Sequence, residues 1–412
     1  MQFERHLWEG VREALKDTPV VLLTGARQTG KTTLVRALAD SAAEPRRYVT
    51  LDDPATLSAA GASPVSFVED LGGRATIDEV QRAPEIFLAL KRAVDAGGKP
   101  GCFLLSGSAN VFVLPRVADS LAGRMEVLTL WPLSQGEIEG HREFFVDACF
   151  GTGDFESGGA LRWPEVVDRM VRGGYPEAIR RTDPARRRAW WNSYVLSLLE
   201  RDVRDLANIE ALRELPRLLG LLAARAGGLL NFADLSRTVG ISATSLKRYM
   251  GLFGALYLYV ELPAWFRNLE KRLAKSPKIY LNDTGLICHL RGMDGAALAG
   301  NRERAGPVLE NFVVLELRKQ LGWSATGPRM YHFRDAAGAE VDIVLEAPDG
   351  RLAGIEVKAA SDVSINDFRG LRRLADTVGS DFVRGVVLYT GSERLAFGER
   401  LTALPVAALW RS

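Results

Sequence analysis

The stretch Val20-Val-Leu-Leu-Thr-Gly-Ala-Arg-Gln-Thr-Gly-Lys-Thr32 decides the fold of the first part of the chain. Its segment Gly25–Thr32 fits the pattern G-x-x-x-x-G-K-[ST], directly after an apolar run and directly before an amphipathic stretch. A strand, a glycine-rich turn and a helix start in this order form a phosphate-binding loop, because backbone amides there point at anionic oxygens. The alternative is a chance match in a glycine-rich turn. We predict a nucleoside triphosphate site and therefore an ATPase.

Each residue type in the loop suits a task in phosphate chemistry. Gly25 and Gly30 allow the backbone to curl, Lys31 brings a positive charge to the β- and γ-phosphate oxygens, and Thr32 can coordinate Mg²⁺. The cofactors expected are therefore ATP and Mg²⁺. The residues predicted to bind them are Gly25, Ala26, Arg27, Gln28, Thr29, Gly30, Lys31, Thr32 and Thr33.

Acidic and small polar residues follow two later strand candidates. In Ala75-Thr-Ile-Asp-Glu79, at the end of a neighbouring strand, Asp78 is expected to hold the Mg²⁺ shell and Glu79 to polarise the attacking water, unless they form a plain surface acidic pair. After the strand that begins at Cys102, Ser106 or Ser108 is a candidate γ-phosphate sensor. Ordinary loop chemistry explains these serines equally well.

Arg124 is the candidate arginine finger, a side chain that stabilises transition-state charge in the same subunit or in a neighbouring one. It follows a predicted helix and precedes a β-prone run. A surface arginine is an equal alternative, and Arg116 is a rival candidate.

Short apolar runs alternate with amphipathic stretches from Pro19 to about Leu130, which predicts a doubly wound parallel sheet. The strand candidates are Pro19–Thr24, Arg46–Leu51, Ala75–Asp78 and Cys102–Ser106, and the helix candidates are Lys31–Ser41, Ile86–Ala96 and Val111–Ala122.

The middle of the chain is predicted to be helical. Trp163–Arg180 and Arg186–Asn208 form a helical connector, and residues 211–292 then read as a helix-turn-helix followed by a hairpin. Gly240 lies at the turn and Ser242 is placed to cap the next helix. The hairpin candidates are Leu256–Leu262 and Lys278–Leu281.

The last section, from about residue 300, is a separate α/β unit that begins with a helix at Pro307–Leu321. In its strand 341–346, Val341, Ile343 and Leu345 are expected on one face and Asp342 on the other. In the next strand, Glu356 and Lys358 are expected on the face of Asp342, and Glu310 of the helix is a candidate third carboxylate. This set, Glu310, Asp342 and Glu356 with Lys358, predicts a second Mg²⁺ site able to orient water on a scissile phosphate, unless the charges are merely solvated.

Two basic stretches are candidate phosphate contacts. Arg180–Arg188 carries five arginines, and Ala264–Lys278 carries five basic residues with Trp265 and Phe266 interleaved at the position of a wing. A solvated face or an interdomain contact is the equal alternative. The DNA-binding candidates are Lys247, Arg248, Arg267, Lys271 and Arg272.

The composition of the chain limits the functions that can be predicted for it. The 412 residues carry a net charge of +2, so any nucleic-acid surface must be local. No apolar run is long enough to span a bilayer, and the N-terminus does not look like a secretory signal, so we expect a soluble, cytoplasmic protein. Cys102, Cys149 and Cys288 are far apart and do not suggest a disulfide framework.

Taken together, the chain resembles the prokaryotic AAA-type ATPases that carry a C-terminal region of unknown function, often with a PD-(D/E)XK nuclease-like end. The resemblance covers nearly the whole chain. It implies an ATPase core, a winged helix and a restriction-endonuclease-like domain, and the one departure is Val341 in place of proline before Asp342. The matching motifs are Gly25–Thr32, Ile77–Gln81, Ser120–Arg124, Gly173–Glu177, Glu200–Asp202, Ile279–Gly285, and Asp342 with Glu356–Lys358.

We therefore expect an α/β chain: an AAA-type P-loop domain at 1–135, an all-α connector at 136–210, a winged helix at 211–299 and a nuclease-like domain at 300–412. The first hypothesis is a Mg²⁺-dependent ATPase that acts on DNA as a helicase, branch-migration or nuclease-associated motor, with Mg²⁺-dependent DNA cleavage as an added activity. The second is an ATP-driven switch that controls a protein partner and has a non-cleaving nuclease-like domain. A homo-oligomer is compatible with both.

Overall fold

The computed structural model describes residues 3–41, 45–108, 121–153, 155, 159, 161–202 and 214–411. The chain forms two compact units. One consists of Glu4–Pro132 and Gly251–Leu258, and we call it the ATPase unit; the other consists of Met1–Phe3, Leu133–Met250 and Tyr259–Ser412, and we call it the second unit. Within the described ranges, no helix combines the length and the apolar character needed to cross a membrane.

The ATPase unit is built on a parallel sheet. Its strands are β1 (Val20–Thr24), β2 (Arg47–Thr50), β3 (Ala75–Asp78), β4 (Phe103–Gly107) and β5 (Met125–Thr129). Its helices are α1 (Leu7–Asp17), α2 (Lys31–Ser41), α3 (Pro54–Ala62), α4 (Pro64–Asp70) and α5 (Ile86–Asp95). These bounds agree closely with the predicted strands and with two of the predicted helices; most of the predicted helix Val111–Ala122 lies outside the described residues.

The strand order is β2-β3-β4-β1-β5, and all neighbours are parallel. Val20, the first residue of β1, pairs with Phe103 of β4 and with Met125 of β5, so the carboxyl ends of the strands meet at one edge. The expectation that Asp78 ends a strand adjacent to the phosphate loop is wrong, because β4 lies between β1 and β3. The last residues of β4 therefore lie between the phosphate loop and Asp78.

Helices cover both faces of this sheet. Val21 and Leu23 belong to a core cluster with residues of α1 and α2, whereas Val20 and Leu22 belong to the cluster that includes residues of α3, α4 and α5. Every residue of β1 is buried. Burial on both faces explains why the sequence of β1 is continuously apolar instead of alternating.

The second unit opens with the predicted connector. Its helices are α6 (Gln135–Glu139), α7 (Phe145–Ala148), α8 (Trp163–Arg172), α9 (Pro176–Arg180) and α10 (Pro184–Ser197), with a π-helical turn at Leu198–Asp202. The single predicted helix Trp163–Arg180 is wrong, because the chain leaves the helical path at Gly173–Tyr175, where the backbone N–H of Gly174 donates to Asp283 (2.7 Å). The predicted helix Arg186–Asn208 agrees with α10 and the π-helical turn up to Asp202, and the rest of the predicted range lies outside the described part of the chain.

The elements of a winged helix follow. They are α11 (Leu215–Ala224), α12 (Phe232–Val239), α13 (Ala243–Ala255), the antiparallel pair β6 (Tyr259–Leu262) and β7 (Lys278–Leu281), and α14 (Leu269–Ala274) between those strands. Gly240 ends α12 with a left-handed backbone, and the Ser242 hydroxyl accepts a hydrogen bond from the backbone N–H of Ser245 (3.1 Å), so the turn and the cap are confirmed.

The winged helix is not a contiguous compact domain over 211–299. Gly251–Leu258, which hold the last residues of α13 and the link to β6, cluster with the ATPase unit. The physical reason is aromatic packing: the ring of Tyr257 meets the ring of Trp131 edge-on, with 5.9 Å between centroids. The connector and the C-terminal region cluster with the rest of the winged helix rather than as separate bodies.

The remaining elements form a mixed sheet. From one edge to the other, its strands are Leu395–Gly398, Leu401–Pro405, Phe382–Tyr389, Leu352–Lys358, Glu340–Glu346 and Arg329–Arg334. The predicted helix Pro307–Leu321 begins earlier than expected, at Arg302, because Asn301 caps it and Pro307 lies inside it. The strands are β8 (Arg329–Arg334), β9 (Glu340–Glu346), β10 (Leu352–Lys358), β11 (Phe382–Tyr389), β12 (Leu395–Gly398) and β13 (Leu401–Pro405); the helices are α15 (Thr284–Leu290), α16 (Gly295–Ala299), α17 (Arg302–Gln320), α18 (Arg369–Val378) and α19 (Ala408–Arg411).

A bulge in β9 changes the predicted faces of that strand. Val341 pairs with Phe333 and Val344 pairs with Tyr331, so Asp342 and Ile343 together oppose a single residue of β8. Val341 and Val344 consequently share one core cluster, which strict alternation forbids. The expected common face of Val341, Ile343 and Leu345 is therefore wrong.

Candidate functional site

The phosphate loop connects β1 to α2, as predicted. Gly25 has φ of 143° and Gly30 has φ of 100°, values that glycine adopts without strain. A Cβ atom at Gly25 would lie 2.2 Å from the carbonyl oxygen of Leu130, so this position also has no room for a side chain. Both glycines are therefore required by the backbone path of the loop.

The Lys31 side chain is buried against the loop that precedes it. Its Nζ donates to the carbonyl oxygens of Gly25 (2.9 Å) and Ala26 (2.7 Å). The Thr29 hydroxyl donates to Ala26 O (2.9 Å), and Arg5 donates to the carbonyl of Thr29 (2.7 Å). These bonds hold the loop in a curled form with its ammonium at the centre.

The exposed residues of the loop lie where the helix begins. Gln28, Thr32 and Thr33 are exposed, and Arg27 is half-buried. Gln28 has φ of 62°, a left-handed conformation that is uncommon for a residue with a side chain. The Thr32 hydroxyl is thus accessible at the start of α2, where backbone N–H groups are free of helical partners.

Asp78 ends β3 as a buried carboxylate held by two hydroxyl groups. Ser106 of β4 donates to its Oδ1, and Tyr48 of β2 donates to its Oδ2 (3.0 Å). Burial and the charge of Asp78 raise the pKa of Tyr48 to about 12, so the phenol remains a donor. Carboxylate and hydroxyl oxygens are the ligands that Mg²⁺ prefers, so Asp78 and Thr32 suit a nucleotide-bound Mg²⁺.

Glu79 follows with a left-handed backbone, φ 59°. Its Oε2 accepts from Gln81 Nε2 (2.5 Å) and from the Ser108 hydroxyl (3.2 Å), and Gln81 Nε2 also lies 2.9 Å from Ser108 Oγ. The two serines therefore have different roles. Ser106 is fully buried and donates to Asp78, whereas Ser108 lies in the Glu79 network.

Arg124 lies at the opposite edge of the sheet. It directly precedes β5, its backbone oxygen accepts from Val20 N at the start of β1, and its Nε is 2.5 Å from Asp95 Oδ1. One strand length, about 15 Å at roughly 3.3 Å per residue, separates it from the carboxyl edge. An action of Arg124 on nucleotide within the same subunit is therefore wrong. The rival Arg116 lies outside the described residues.

Tyr257 is a residue of this site that the sequence analysis missed. Burial raises the pKa of Tyr257, and the nearby hydroxyl groups of Thr24 and Thr129 act in the opposite direction. Thr24 is the last residue of β1, directly before Gly25. The link that follows α13 therefore contacts the strand that carries the phosphate loop. Only a basic helix-turn-helix signal, with no indication of this contact, was visible in the sequence.

Comparison with known proteins agrees with this geometry. The family model described as an AAA domain matches residues 17–139, and two models described as domains of unknown function, DUF8612 and DUF4143, match residues 164–297 and 305–409. The chain is 32% identical over 397 residues to "Uncharacterized protein Rv2008c" of Mycobacterium tuberculosis and to "Uncharacterized protein Mb2031c" of Mycobacterium bovis, covering 96% of this chain and 82% of each relative.

The chain belongs to the family of these two mycobacterial proteins. Its first domain is a P-loop ATPase domain of the AAA type. Among solved structures, the chain is similar to the Walker-type ATPase PABY2304 of Pyrococcus abyssi, with a TM-score of 0.44 and 16% identity over 70% of this chain and 96% of that one. It is also similar to AMPPCP-bound DnaA from Aquifex aeolicus, with a TM-score of 0.29 and 15% identity over 59% of this chain and 85% of that one.

The basic stretch Ala264–Lys278, which was predicted to contact DNA as a wing, makes several contacts within the protein instead. Arg272 makes a paired ion contact with Glu346 (2.6 and 2.7 Å) and lies over the ring of Tyr331, and Trp265 is buried in the core of the C-terminal sheet. Their proposed contacts with DNA are therefore wrong. Arg267 is exposed but lies 3.2 Å from Asp381.

Other basic candidates remain at the surface. Lys247 and Arg248 of α13 are exposed, as is Lys271 of α14. In the first basic stretch, Arg180 and Arg181 share the carboxylate of Glu177 (2.8 and 2.7 Å), which offsets one of the five arginine charges.

The predicted carboxylate cluster of the C-terminal sheet does assemble, with an unpredicted cation inside it. Lys278 of β7 places its Nζ 2.8 Å from Glu310 Oε1 and 3.3 Å from Asp342 Oδ1. Tyr280 donates to the same Glu310 oxygen (2.6 Å). Burial acts to lower the pKa of Lys278, but the two carboxylates outweigh it and the pKa lies above its ordinary value. In the sequence, Lys278 is the last residue of the basic stretch Ala264–Lys278, which predicts a surface position instead.

The rest of the cluster is held by backbone amides. Val357 N donates to Asp342 Oδ2 and Asp342 N donates to Glu356 Oε2, both at 3.0 Å, while Lys358 Nζ lies 3.7 Å from Glu356 Oε1. Burial and the nearby Asp342 raise the pKa of Glu310 and of Glu356. In the described part of the chain, no group of at least three acidic, histidine or cysteine side chains is arranged to hold a metal. The predicted second Mg²⁺ site does not fit these residues.

Proposed function

We propose that this ATPase is Mg²⁺-dependent and acts on DNA, coupling ATP binding and hydrolysis to DNA binding or remodelling through the winged helix. The observation that carries the proposal is the contact of Tyr257 with Thr24 and Thr129. Thr24 precedes the phosphate loop, and Tyr257 follows α13 by two residues. A change at the nucleotide site thus has a short physical route to the helix that holds Lys247 and Arg248.

The hydrolytic chemistry follows from the residues at the carboxyl edge of the sheet. Lys31 and the loop amides would hold the phosphates, and Thr32 and Asp78 would hold Mg²⁺, which neutralises charge that develops on the phosphate oxygens. Glu79, positioned by Gln81 and Ser108, is the proposed group that orients the attacking water.

DNA contact is proposed for the exposed positions of α13. Lys247 and Arg248 lie on the second helix of the helix-turn-helix, the helix that enters the major groove in DNA-binding proteins of this type. The net charge of +2 makes a long-range electrostatic contribution small, so these local charges must supply the phosphate contacts.

The decisive experiment is an ATPase assay with single-stranded, duplex and branched DNA. We expect stimulation by at least one DNA structure, and loss of that stimulation in a Lys247→Ala/Arg248→Ala variant at unchanged basal rate. A matched control, Arg92→Ala/Lys99→Ala, removes two exposed basic residues of the ATPase unit and should keep the stimulation. If no DNA structure stimulates hydrolysis or binds, action on DNA is refuted.

An action of Arg124 across subunits is part of this proposal, and its support is that Arg124 lies at the end of the strands opposite to the phosphate loop. Its test is a mixture of two inactive variants. Arg124→Ala keeps the phosphate loop and Lys31→Ala keeps the arginine, so a mixture should regain ATPase activity only if the finger is supplied by a neighbour. No recovery at any ratio would mean that Arg124 only pairs with Asp95.

A second candidate function, an ATP-driven switch for a protein partner, is favoured by the surface of the wing. Leu269 and Leu273 of α14 are 70% and 90% exposed, whereas the aromatic Trp265 is buried. Exposed leucines suit an apolar contact better than a phosphate backbone. This function predicts nucleotide binding that Lys31→Ala abolishes, with no response of ATP hydrolysis to any DNA.

A further inference from the structure

The carboxylate cluster of the C-terminal sheet contains a lysine where the sequence predicts a metal. Lys278 comes from β7, one strand of the winged-helix hairpin, and its side chain is buried beside Glu310 and Asp342. The distances to the two carboxylates, 2.8 and 3.3 Å, are those of direct ion pairs.

Glu310 Oε1 and both carboxylate oxygens of Asp342 are already engaged. Glu310 Oε1 accepts from both Lys278 and Tyr280, and Asp342 divides its oxygens between Lys278 and the backbone N–H of Val357. Magnesium binds carboxylate oxygens at about 2.0–2.1 Å in near-octahedral geometry. An ion held by Glu310 and Asp342 would therefore occupy the space of the Lys278 ammonium, and the two cations would repel each other.

Charge balance supports a permanent arrangement. Lys278 offsets one of the two charges of Glu310 and Asp342, and Lys358 lies beside Glu356. The raised pKa of the buried Glu310 favours a proton on the carboxyl group that would carry the remaining charge. Removing one partner of a buried charge pair leaves the other uncompensated, so withdrawal of Lys278 without a replacement cation is unfavourable.

We propose that Lys278 is the resident cation of this cluster: its ammonium excludes a divalent metal and ties the β6–β7 hairpin to the C-terminal sheet. The carboxylates Glu310, Asp342 and Glu356 then have a structural role, which is to hold β7 in place, and do not form a metal-dependent catalytic site. The proposal is independent of the nucleotide site and of any action on DNA.

The test is Mn²⁺ binding to the full chain without nucleotide, followed by electron paramagnetic resonance at Mn²⁺ concentrations up to about 10⁻³ M, the weak end of protein sites for divalent cations. Wild type should show no binding that depends on Asp342, as judged against Asp342→Asn. Lys278→Met removes the charge at similar length and should gain one Mn²⁺ per chain, and Lys278→Met/Asp342→Asn should lose it again. Lys275→Met, at an exposed lysine of the same segment, should behave as wild type.

Two results would overturn the proposal. One is Asp342-dependent Mn²⁺ binding by the wild type, and the other is a folded Lys278→Met variant that gains no site. Should Lys278→Met fail to fold, Lys278→Arg keeps the charge in place: Asp342-dependent binding by this variant or by wild type refutes the proposal, and its absence in both supports it.

Discussion

His332 shows how one buried side chain links stability to pH. It lies in β8, its Nε2 is 3.4 Å from Ser276 O, and its Nδ1 is buried without a hydrogen-bond partner. Burial, with a smaller contribution from the charge of Lys278, lowers the pKa of His332 to about 4. The imidazole is therefore neutral in the folded protein, because protonation would bury an N–H group that has nothing to donate to.

We expect the protein to lose stability as pH falls from 6.5 towards 4. The unfolded chain takes up the proton near pH 6.5 and the folded chain only near pH 4, so unfolding binds a proton in this window. The loss is at most about 3 kcal/mol, at 1.36 kcal/mol per pKa unit. His332→Gln should flatten this part of the pH dependence, measured from urea unfolding midpoints.

The exposed His141 provides the control, since His141→Gln should keep the wild-type slope. Equal slopes for His332→Gln and wild type between about pH 4 and 6.5, the window set by the two pKa values, would contradict a neutral His332.

In the proposed function, α13 is the element that joins nucleotide chemistry to the winged helix. It begins at Ala243 and ends at Ala255, and its final residues and Tyr257 belong to the ATPase unit. Tyr257 has φ of 57°, a conformation that costs free energy for a non-glycine residue, and it packs against Trp131. The contact is therefore one that the surrounding structure must hold in place.

Tyr257→Phe should separate hydrolysis from coupling, if ATP acts through α13 as proposed. The ring still packs on Trp131, whereas the hydroxyl group and its polar interactions with Thr24 and Thr129 are lost. Because a net hydrogen bond is worth about 1 kcal/mol, we expect basal ATPase activity near wild type and stimulation by DNA reduced about fivefold. Steady-state ATPase rates with and without DNA measure both quantities.

Tyr259→Phe is the matched control, because Tyr259 donates only to the nearby Glu261 (3.2 Å) and should keep full stimulation. Unchanged stimulation in Tyr257→Phe would remove this hydroxyl from the coupling route.

Sequence could predict the elements whose physics is local. The phosphate loop, the cap at Ser242 and the turn at Gly240 depend on neighbouring residues, and all three have the predicted form. The function of the basic wing could not be predicted in this way. Arg272 finds Glu346 at 74 positions along the chain and Lys278 finds Glu310 at 32, and charge counts in one segment do not show such partners.

The carboxylates of the C-terminal sheet also show which contacts the sequence could not predict. Period-two alternation brought Asp342 and Glu356 together correctly, but it did not show the bulge that places two residues of β9 opposite one of β8. Nor did it show that β7 would supply an ammonium to the cluster. Residue types can therefore predict that acidic side chains lie together, but they do not predict which cation lies beside them.

At the scale of the whole molecule, the chain passes between its two units at residues 3–4, 132–133, 250–251 and 258–259. Each unit has its own sheet and its own apolar core: the core clusters of the ATPase unit contain Val20 to Leu23, and another contains Val341 and Val344. Cores without shared residues permit separate unfolding transitions, which makes a single free energy of unfolding an incomplete description.

We expect ATP with Mg²⁺ to stabilise the ATPase unit selectively. A ligand that binds only the folded state adds about 2.7 kcal/mol at 100 times its dissociation constant, so one calorimetric transition should move to higher temperature while the other stays. Lys31→Ala should abolish the shift, because the ammonium at the centre of the loop is lost. Lys278→Met, a change in the second unit, should retain the full nucleotide shift whatever it does to the other transition. A nucleotide shift that survives Lys31→Ala would mean that ATP binds elsewhere, and equal movement of both transitions would show that the two units unfold as one.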